Sequence, residues 1–88
     1  MDFALGRVVM TRGIVEHIRE ERGFSEFVYD SFRRHSAGDF TESDKEANIN
    51  AIINGDRVFS VFHKDEWKIY IITEWDRSYT TILLPDEY

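Results

Sequence analysis

The spacing of apolar residues changes at Gly55, and this change constrains the fold more than any other feature of the sequence. Before Gly55, apolar side chains recur every three or four residues, which is typical of helices with one buried face. After it, three segments rich in β-branched and aromatic residues alternate with period two, which is typical of strands. The chain therefore combines several helices with a sheet built mainly from its second half.

Three helices are predicted in the first half of the chain. The second is the clearest, because its stripe from Phe24 to His35 keeps the three-four spacing throughout. The third begins with a capping box, in which Ser43 and Glu46 each satisfy an unpaired amide of the first turn. With glycines as end signals, the predicted helices span residues 12–21, residues 24–37 and the segment from Ser43 to Gly55.

Four strands are predicted, at residues 4–10, 57–63, 67–73 and 79–84. Short polar segments separate the last three strands, which are therefore expected to form hairpins. The predicted order is β-α-α-α-β-β-β. The predicted fold class is α+β, with three helices packed on a mostly antiparallel four-stranded sheet. Residues 1–88 are expected to form a single domain, and the place of the first strand in the sheet is left open.

Both faces of the predicted sheet are apolar. The side chains expected to face the helices are Val58, Phe62, Ile69, Ile71, Ile82 and Leu84, and those expected to face away are Phe59, Val61, Tyr70, Ile72 and Leu83. A solvated face is normally more polar than this second set. A homodimer through this face is therefore predicted, with Trp67 and Tyr70 as its apolar interface. The alternative is a monomer whose terminal segments cover the face.

The negative charge is confined to one half of the sequence. Residues 1–37 hold six basic and six acidic side chains, whereas residues 38–88 hold five basic and eleven acidic ones, which gives the net charge of −6. Direct binding to DNA or RNA needs a basic surface and is disfavoured. An acidic surface suits a basic protein partner, including a groove that normally holds nucleic acid. The alternative is that the charge only favours solubility. The candidate binding residues are Glu42, Asp44, Glu46, Asp65, Glu66, Glu74 and Asp76.

Several chemistries are excluded or disfavoured by what the sequence lacks. It has no cysteine, which excludes disulfides and thiol nucleophiles and favours a cytoplasmic location. The three histidines lie on different predicted elements, so no metal site is predicted. Nucleophile elbows, phosphate-binding loops and dinucleotide-binding glycines are missing, and no cofactor is expected. No signal peptide or membrane span is predicted either, since a span needs about 20 apolar residues.

One polar cluster offers an enzymatic alternative. Glu74, Asp76 and Arg77 lie within four residues, and together with His35 they would suit the acid–base chemistry of a small hydrolase or nuclease. The competing interpretation is a tight turn, in which Asp76 accepts backbone amides and Arg77 pairs with a neighbouring carboxylate. Because no sequence feature predicts a cleft around these residues, a protein without catalytic activity is expected.

Two long segments carry a resemblance to a known group of proteins. They are residues 34–48, with the sequence Arg-His-Ser-Ala-Gly-Asp-Phe at its start, and residues 71–88, which run from Ile-Ile-Thr-Glu-Trp to the terminal Glu-Tyr. The chain resembles small plasmid-related proteins of uncharacterised function that are carried on bacterial plasmids, integrative elements and phages. It departs from their pattern at Phe40-Thr41, where Trp followed by Gly is expected. The aromatic bulk is kept, so packing is expected to be kept.

This resemblance implies a functional setting. Small acidic proteins of mobile elements often bind host defence machinery, as anti-CRISPR proteins do. The resemblance therefore implies a protein that binds another protein and inhibits a host defence effector. A small hydrolase or nuclease and a structural homodimer are the alternatives.

Overall fold

A computed structural model describes residues 2–88 of the chain. Its elements follow in the order β1 Arg7–Met10, α1 Arg12–Glu20, α2 Phe24–Ala37, α3 Glu42–Asn54, β2 Val58–Lys64, β3 Trp67–Thr73 and β4 Tyr79–Leu83, with a final 3-10 helix at Pro85–Glu87. The predicted α+β class and element order are confirmed. Within residues 2–88, none of the helices is long and apolar enough to cross a membrane.

The first strand lies at one edge of the sheet. The strand order is β1-β4-β3-β2, in which β1 runs parallel to β4 and the other neighbours are antiparallel. β1 begins at Arg7, so the predicted strand from residue 4 is three residues too long. The reason lies at its start, where Gly6 takes a left-handed conformation and the Leu5 carbonyl accepts a hydrogen bond from the Thr80 hydroxyl. Both features interrupt a strand ladder.

The helices cover one face of the sheet and form two apolar clusters with it. The larger cluster joins α1 and α2 to the sheet through Ile14, Phe24, Phe27, Val28, Phe62, Ile69, Ile71 and Ile82. The smaller cluster joins α3 to β2 through Phe40, Ala51 and Val58. The strand residues predicted to face the helices belong to these clusters or pack against them, which confirms that prediction. Phe40 is buried and meets the His35 ring edge-on, so its aromatic bulk is used in packing.

α3 begins earlier than predicted. Its N-cap is Thr41 and its first residue is Glu42, so the predicted capping box of Ser43 and Glu46 is wrong. Asp44 takes the third helical position instead, where its backbone amide donates to the Thr41 carbonyl and its carboxylate accepts the Thr41 hydroxyl. A contact between Asp44 and β2, described below, fixes this start. It cannot be inferred from local spacing.

The C-terminal segment covers part of the second sheet face. Tyr88 packs against Phe59 and Tyr70, with ring centroids 5.3 and 5.9 Å away. The Glu87 carboxylate holds this segment in place by accepting the backbone amides of Gly13 and Leu84, each at 2.9 Å. The apolar face is therefore partly closed by the chain itself.

Candidate protein-binding surface

α3 lies against the outer edge of β2 and closes it. The Asp44 carboxylate accepts the Val61 backbone amide at 2.8 Å, and the Asn48 side-chain oxygen accepts the Phe59 amide at 3.0 Å. These two side chains are one helical turn apart, and the two amides are two residues apart on the strand. The helix therefore supplies acceptors to amides that point away from the sheet, and a further strand cannot pair there. Asp44, a predicted binding residue, has this structural role.

The outer surface of α3 carries two other predicted residues. Glu42 and Glu46 are exposed, one turn apart, and neither makes a hydrogen bond or an ion pair with the rest of residues 2–88. They border a shallow groove of about 380 Å³ that also contains Lys45, Ile49 and Asn50. Both carboxylates are therefore free to contact a partner.

The remaining predicted carboxylates lie at the two ends of β3. Asp65 and Glu66 form the exposed turn before the strand, and Glu74 and Asp76 lie in the loop after it. A seven-residue strand spans about 23 Å at its usual rise. The seven predicted residues therefore do not form one compact patch. Asp65 and Glu66 border a groove with Glu21, beside the end of α1, whereas Glu42 and Glu46 lie on α3.

Asp76 organises the loop between β3 and β4. One of its carboxylate oxygens accepts both the Ser78 hydroxyl, at 2.6 Å, and the Ser78 backbone amide, at 3.0 Å. The hydrogen bond from the Ser78 hydroxyl has the largest effect and the bond from the amide the next largest, and together they hold the pKa of Asp76 below its usual value. The predicted role of Asp76 as an acceptor of backbone amides is confirmed, and its charge is retained at the loop surface.

Arg77 anchors the same loop to the end of α3. Its guanidinium donates to the carbonyls of Asp56, at 2.7 Å, Glu74, at 3.1 Å, and Ala51, at 3.5 Å. The predicted pair with a neighbouring carboxylate does not form among residues 2–88, so that part of the prediction is wrong. The reason is that a cation near a helix C-terminus is stabilised by the unpaired carbonyls found there.

His35 is the centre of a buried hydrogen-bond network that the sequence did not reveal. The Thr80 hydroxyl donates to the Leu5 carbonyl at 2.7 Å, so its oxygen accepts from the Thr73 hydroxyl, also at 2.7 Å. Thr73 in turn accepts from the His35 Nε2 at 2.9 Å. This direction of donation places a proton on Nε2, and burial, which lowers the pKa of His35 to about 4, leaves the ring neutral at pH 7.

The other side of the His35 ring completes the network. Because Nδ1 carries no proton, it accepts the Ser60 hydroxyl at 2.6 Å, and the Ser60 oxygen accepts from the Asn48 side-chain nitrogen at 3.3 Å. Every buried side-chain nitrogen or oxygen among residues 2–88 has a partner. Desolvation by burial lowers the pKa of His35 from 6.5 to about 4. The signal in the sequence was a hydroxyl residue at an inward position of each of three strands.

The proposed acid–base cluster is not assembled. His35 is fully buried and bonds only to Ser60 and Thr73, whereas Asp76 bonds to Ser78 and Arg77 to carbonyl groups. No hydrogen bond among residues 2–88 joins His35 to the loop. Within the same residues, no group of three His, Asp or Glu side chains is placed to hold a metal ion.

The predicted apolar interface residues lie on opposite faces of β3. Trp67 is half-buried on the helix side, where its ring packs against Phe24 at 5.2 Å and Phe27 at 5.9 Å. Tyr70 lies on the other face, beneath Tyr88. The structure therefore does not bring Trp67 and Tyr70 together into one surface.

An exposed tryptophan was missed as a contact candidate. Trp75 lies between Glu74 and Asp76 at the tip of the β3–β4 loop, and 67% of its surface is exposed. Tryptophan is enriched among residues that dominate protein interfaces. Its position inside a predicted turn, outside the strands that form the core, is the sequence feature that indicates an exposed tryptophan.

Comparisons with protein-family models, with curated proteins and with solved structures found no match to this chain.

Proposed function

We propose that this protein has no catalytic activity and acts by binding a basic surface of another protein, with its carboxylates in the positions that phosphates occupy in nucleic acid. In this proposal the partner is a nucleic-acid-binding effector of a bacterial host's defence, and binding inhibits it in the cytoplasm. The protein itself does not bind nucleic acid.

The observation that supports the proposal is the uneven distribution of ion pairs along the chain. The three ion pairs found among residues 2–88 join Arg12 to Glu16, Asp30 to Arg33, and Arg34 to Asp39. Beyond Asp39 no carboxylate within the described residues is paired with a basic side chain, although ten of the seventeen acidic residues lie there. A surplus of unpaired carboxylates in one half of the chain favours attraction to a basic partner.

The basic residues of the same half are partly used elsewhere, which increases the imbalance. Arg77 donates to carbonyl groups, and Arg57 donates to the Tyr88 hydroxyl at 2.7 Å and lies over the Phe59 ring. Neither neutralises a neighbouring carboxylate. In the proposed complex the exposed ring of Trp75 adds apolar contact beside Glu74 and Asp76, as aromatic residues do at interface centres.

The host-defence role adds the genomic setting implied by the resemblance to plasmid-related proteins. Proteins of mobile elements meet defence effectors soon after the element enters a cell, and such effectors hold nucleic acid in basic channels. An acidic domain that occupies such a channel competes with the phosphate backbone for the same cations.

The proposal is tested by affinity capture from a lysate of a host with active defence systems. The variant replaces three exposed carboxylates that make no bond within the fold, as Glu42→Gln, Glu46→Gln and Glu66→Gln. We expect recovery of a nucleic-acid-binding protein by the natural chain, with a loss of about 1–3 kcal/mol for each replaced carboxylate that faced a cation. Binding should also weaken between about 50 and about 200 mM salt, because screening increases.

A matched control separates position from total charge. The variant with Asp2→Asn, Glu16→Gln and Glu20→Gln loses the same number of charges, all of them exposed and in the neutral half. It should capture the partner as well as the natural chain does. The proposal is wrong if no nucleic-acid-binding protein is recovered, or if the two triple variants bind it equally.

A further inference from the structure

The β1 edge of the sheet is exposed and apolar. Of its residues, Val8 is 43% exposed, Val9 36% and Met10 46%, and these fractions are large for three consecutive apolar side chains. The strand is short and begins with Arg7, but Val8, Val9 and Met10 carry no charge and no proline or bulge interrupts them. This edge is therefore available to another strand.

The hydrogen bonds to β4 show which amides of β1 are free. Arg7 donates its backbone amide to the Ser78 carbonyl and Thr11 donates to the Ile82 carbonyl, both at 3.1 Å. Alternate residues of a parallel ladder direct their amides to the same side. The amides and carbonyls of Val8 and Met10 therefore point away from the sheet.

A groove lies beside this edge on the helix side. It has a volume of about 300 Å³ and is lined almost entirely by apolar side chains, among them Val8, Met10, Ile18, Val28, Tyr29 and Phe32. Tyr29, which is 65% exposed, stands at the groove with its ring largely in solvent. An incoming strand would thus find free backbone groups and an apolar surface next to each other.

Charge and symmetry together indicate a second copy of the chain as the occupant. Two chains of net charge −6 repel each other over most of their surface, but residues 1–37, which contain β1, α1 and α2, have no net charge. Contact through this half is the approach that avoids the repulsion. Symmetric pairing about Val9 also places Arg7 opposite Thr11 of the second copy, so no like charges meet across the strands.

We infer that the protein forms a homodimer in which the β1 strands of two copies pair antiparallel about a two-fold axis at Val9. Val8 and Met10 of each copy would then exchange backbone hydrogen bonds with Met10 and Val8 of the other. Cross-strand partners share a face, so Met10 of the second copy lies beside Val8, at the groove. The two sheets become one of eight strands.

The dimer places the two α3 helices far apart. β2 and α3 are at the end of the sheet opposite β1, so each copy carries its α3, with Glu42 and Glu46, at an outer end of the joined sheet. The paired residues of β1 are not among the proposed binding residues, although the loop that carries Glu74 and Asp76 adjoins the start of β1 through the hydrogen bond from Arg7 to Ser78.

Sedimentation of the natural chain is the first test. We expect a species of twice the 10.5 kDa chain mass as the concentration rises from about 10 µM to about 1 mM. Val9→Lys and Val9→Glu should each give a single-chain mass, because two like charges would face each other on the axis. An equal mixture of the two variants should restore the dimer, and Ile53→Lys, an exposed site on α3, should leave it unchanged.

A cross-linking test examines the register and does not depend on those variants. The chain has no cysteine, so Val9→Cys introduces a single thiol. Non-hydrogen-bonded antiparallel partners have Cα atoms about 4.5 Å apart, within the range of a disulfide. Val9→Cys should oxidise to a covalent dimer at least about tenfold faster than Ile53→Cys. A single-chain mass at all concentrations, or equal oxidation of the two variants, would overturn the inference.

Discussion

The two edge strands of the sheet differ in whether another element covers them. On β2, α3 lies alongside and its Asp44 and Asn48 accept the outward amides of Val61 and Phe59. Among residues 2–88 no strand pairs with the outer side of β1, and its apolar side chains are exposed. Two side chains one helical turn apart are therefore enough to close an edge, and the open edge lies in the half of the chain without surplus charge.

The largest expected effect concerns how β1 joins β4. Gly6 has a φ of +63°, and a Cβ atom there would lie 2.3 Å from the Ser78 carbonyl oxygen. Gly6→Ala should therefore lower the free energy of unfolding by about 3 kcal/mol or more, or detach β1. Gly55→Ala is the matched control, because Gly55 has a φ of +74° but nothing within 4 Å of its Cβ position. It should cost only about 1 kcal/mol.

Urea denaturation measures both variants, and amide hydrogen exchange at Arg7 and Thr11 reports whether β1 has detached. Equal losses for Gly6→Ala and Gly55→Ala would show that the close approach to Ser78 is unimportant.

The second prediction concerns the network that connects the protected β2 with the segment before β1. An unfolded histidine takes up a proton near pH 6.5, whereas the pKa of His35 in the fold is about 4, because of burial. The unfolded state therefore binds more protons between these values, and stability falls as the pH decreases through this window. The expected loss at pH 4, relative to pH 7, is about 3 kcal/mol.

Denaturation at several pH values tests this. His63→Gln, which changes an exposed histidine, should keep the loss, and His35→Gln should remove it while lowering stability at pH 7. Constant stability of the natural chain from pH 7 to about 4.5 would contradict the assigned network.

The third prediction tests closure of the β2 edge directly. Asn48→Leu removes the acceptor of the Phe59 amide and the donor to the Ser60 hydroxyl. We expect a loss of about 2 kcal/mol, since a donor left without a partner costs about 1–3 kcal/mol. Asn50→Leu changes the same residue type at an exposed position of the same helix and should shift stability by less than about 0.5 kcal/mol. Thermal or urea unfolding of the two variants measures the difference in their stability, and equal losses would refute the role of Asn48.

The smallest effect compares one substitution at both edges. Val61→Pro removes an amide that donates to Asp44, whereas Val8→Pro removes one that, in a single chain, points away from the sheet. Both impose the same restriction on φ. Val61→Pro should therefore be more destabilising by about 1 kcal/mol. Unfolding of the two proteins under identical conditions gives the difference, and a greater loss for Val8→Pro would reverse the comparison of the edges.

The architecture was predictable from the sequence because its signals are local. The stripe of α2, the glycines at the ends of α2 and α3, and the alternation of the last three strands each depend on neighbouring residues. The start of α3 was not predictable, since it depends on Asp44 reaching Val61 seventeen residues later. Contacts of long sequence separation leave no local pattern.

The acidic composition of the candidate surface was predictable from the sequence, but the roles of its individual residues were not. Charge counting identifies the acidic half, but it does not distinguish Glu42 and Glu46, which are free, from Asp44, which holds the β2 edge. Period two alone also assigns Trp67 and Tyr70 to opposite faces, so the error of pairing them in one interface was avoidable. His35 was correctly placed on a buried stripe, while its partners on three strands required the fold.

The direction of hydrogen bonding through His35 has a consequence for how the hairpins find their alignment. A slip of β2 by two residues keeps the same side chains facing inward, so burial alone tolerates it. It would, however, bring Val58 or Phe62 to the place of Ser60 and leave the His35 Nδ1 without a donor. The hydrogen-bond network of His35 therefore favours one alignment among several that bury apolar side chains equally well. A misaligned hairpin therefore leaves both the His35 Nδ1 and the Asn48 side-chain nitrogen without the Ser60 hydroxyl in the buried interior.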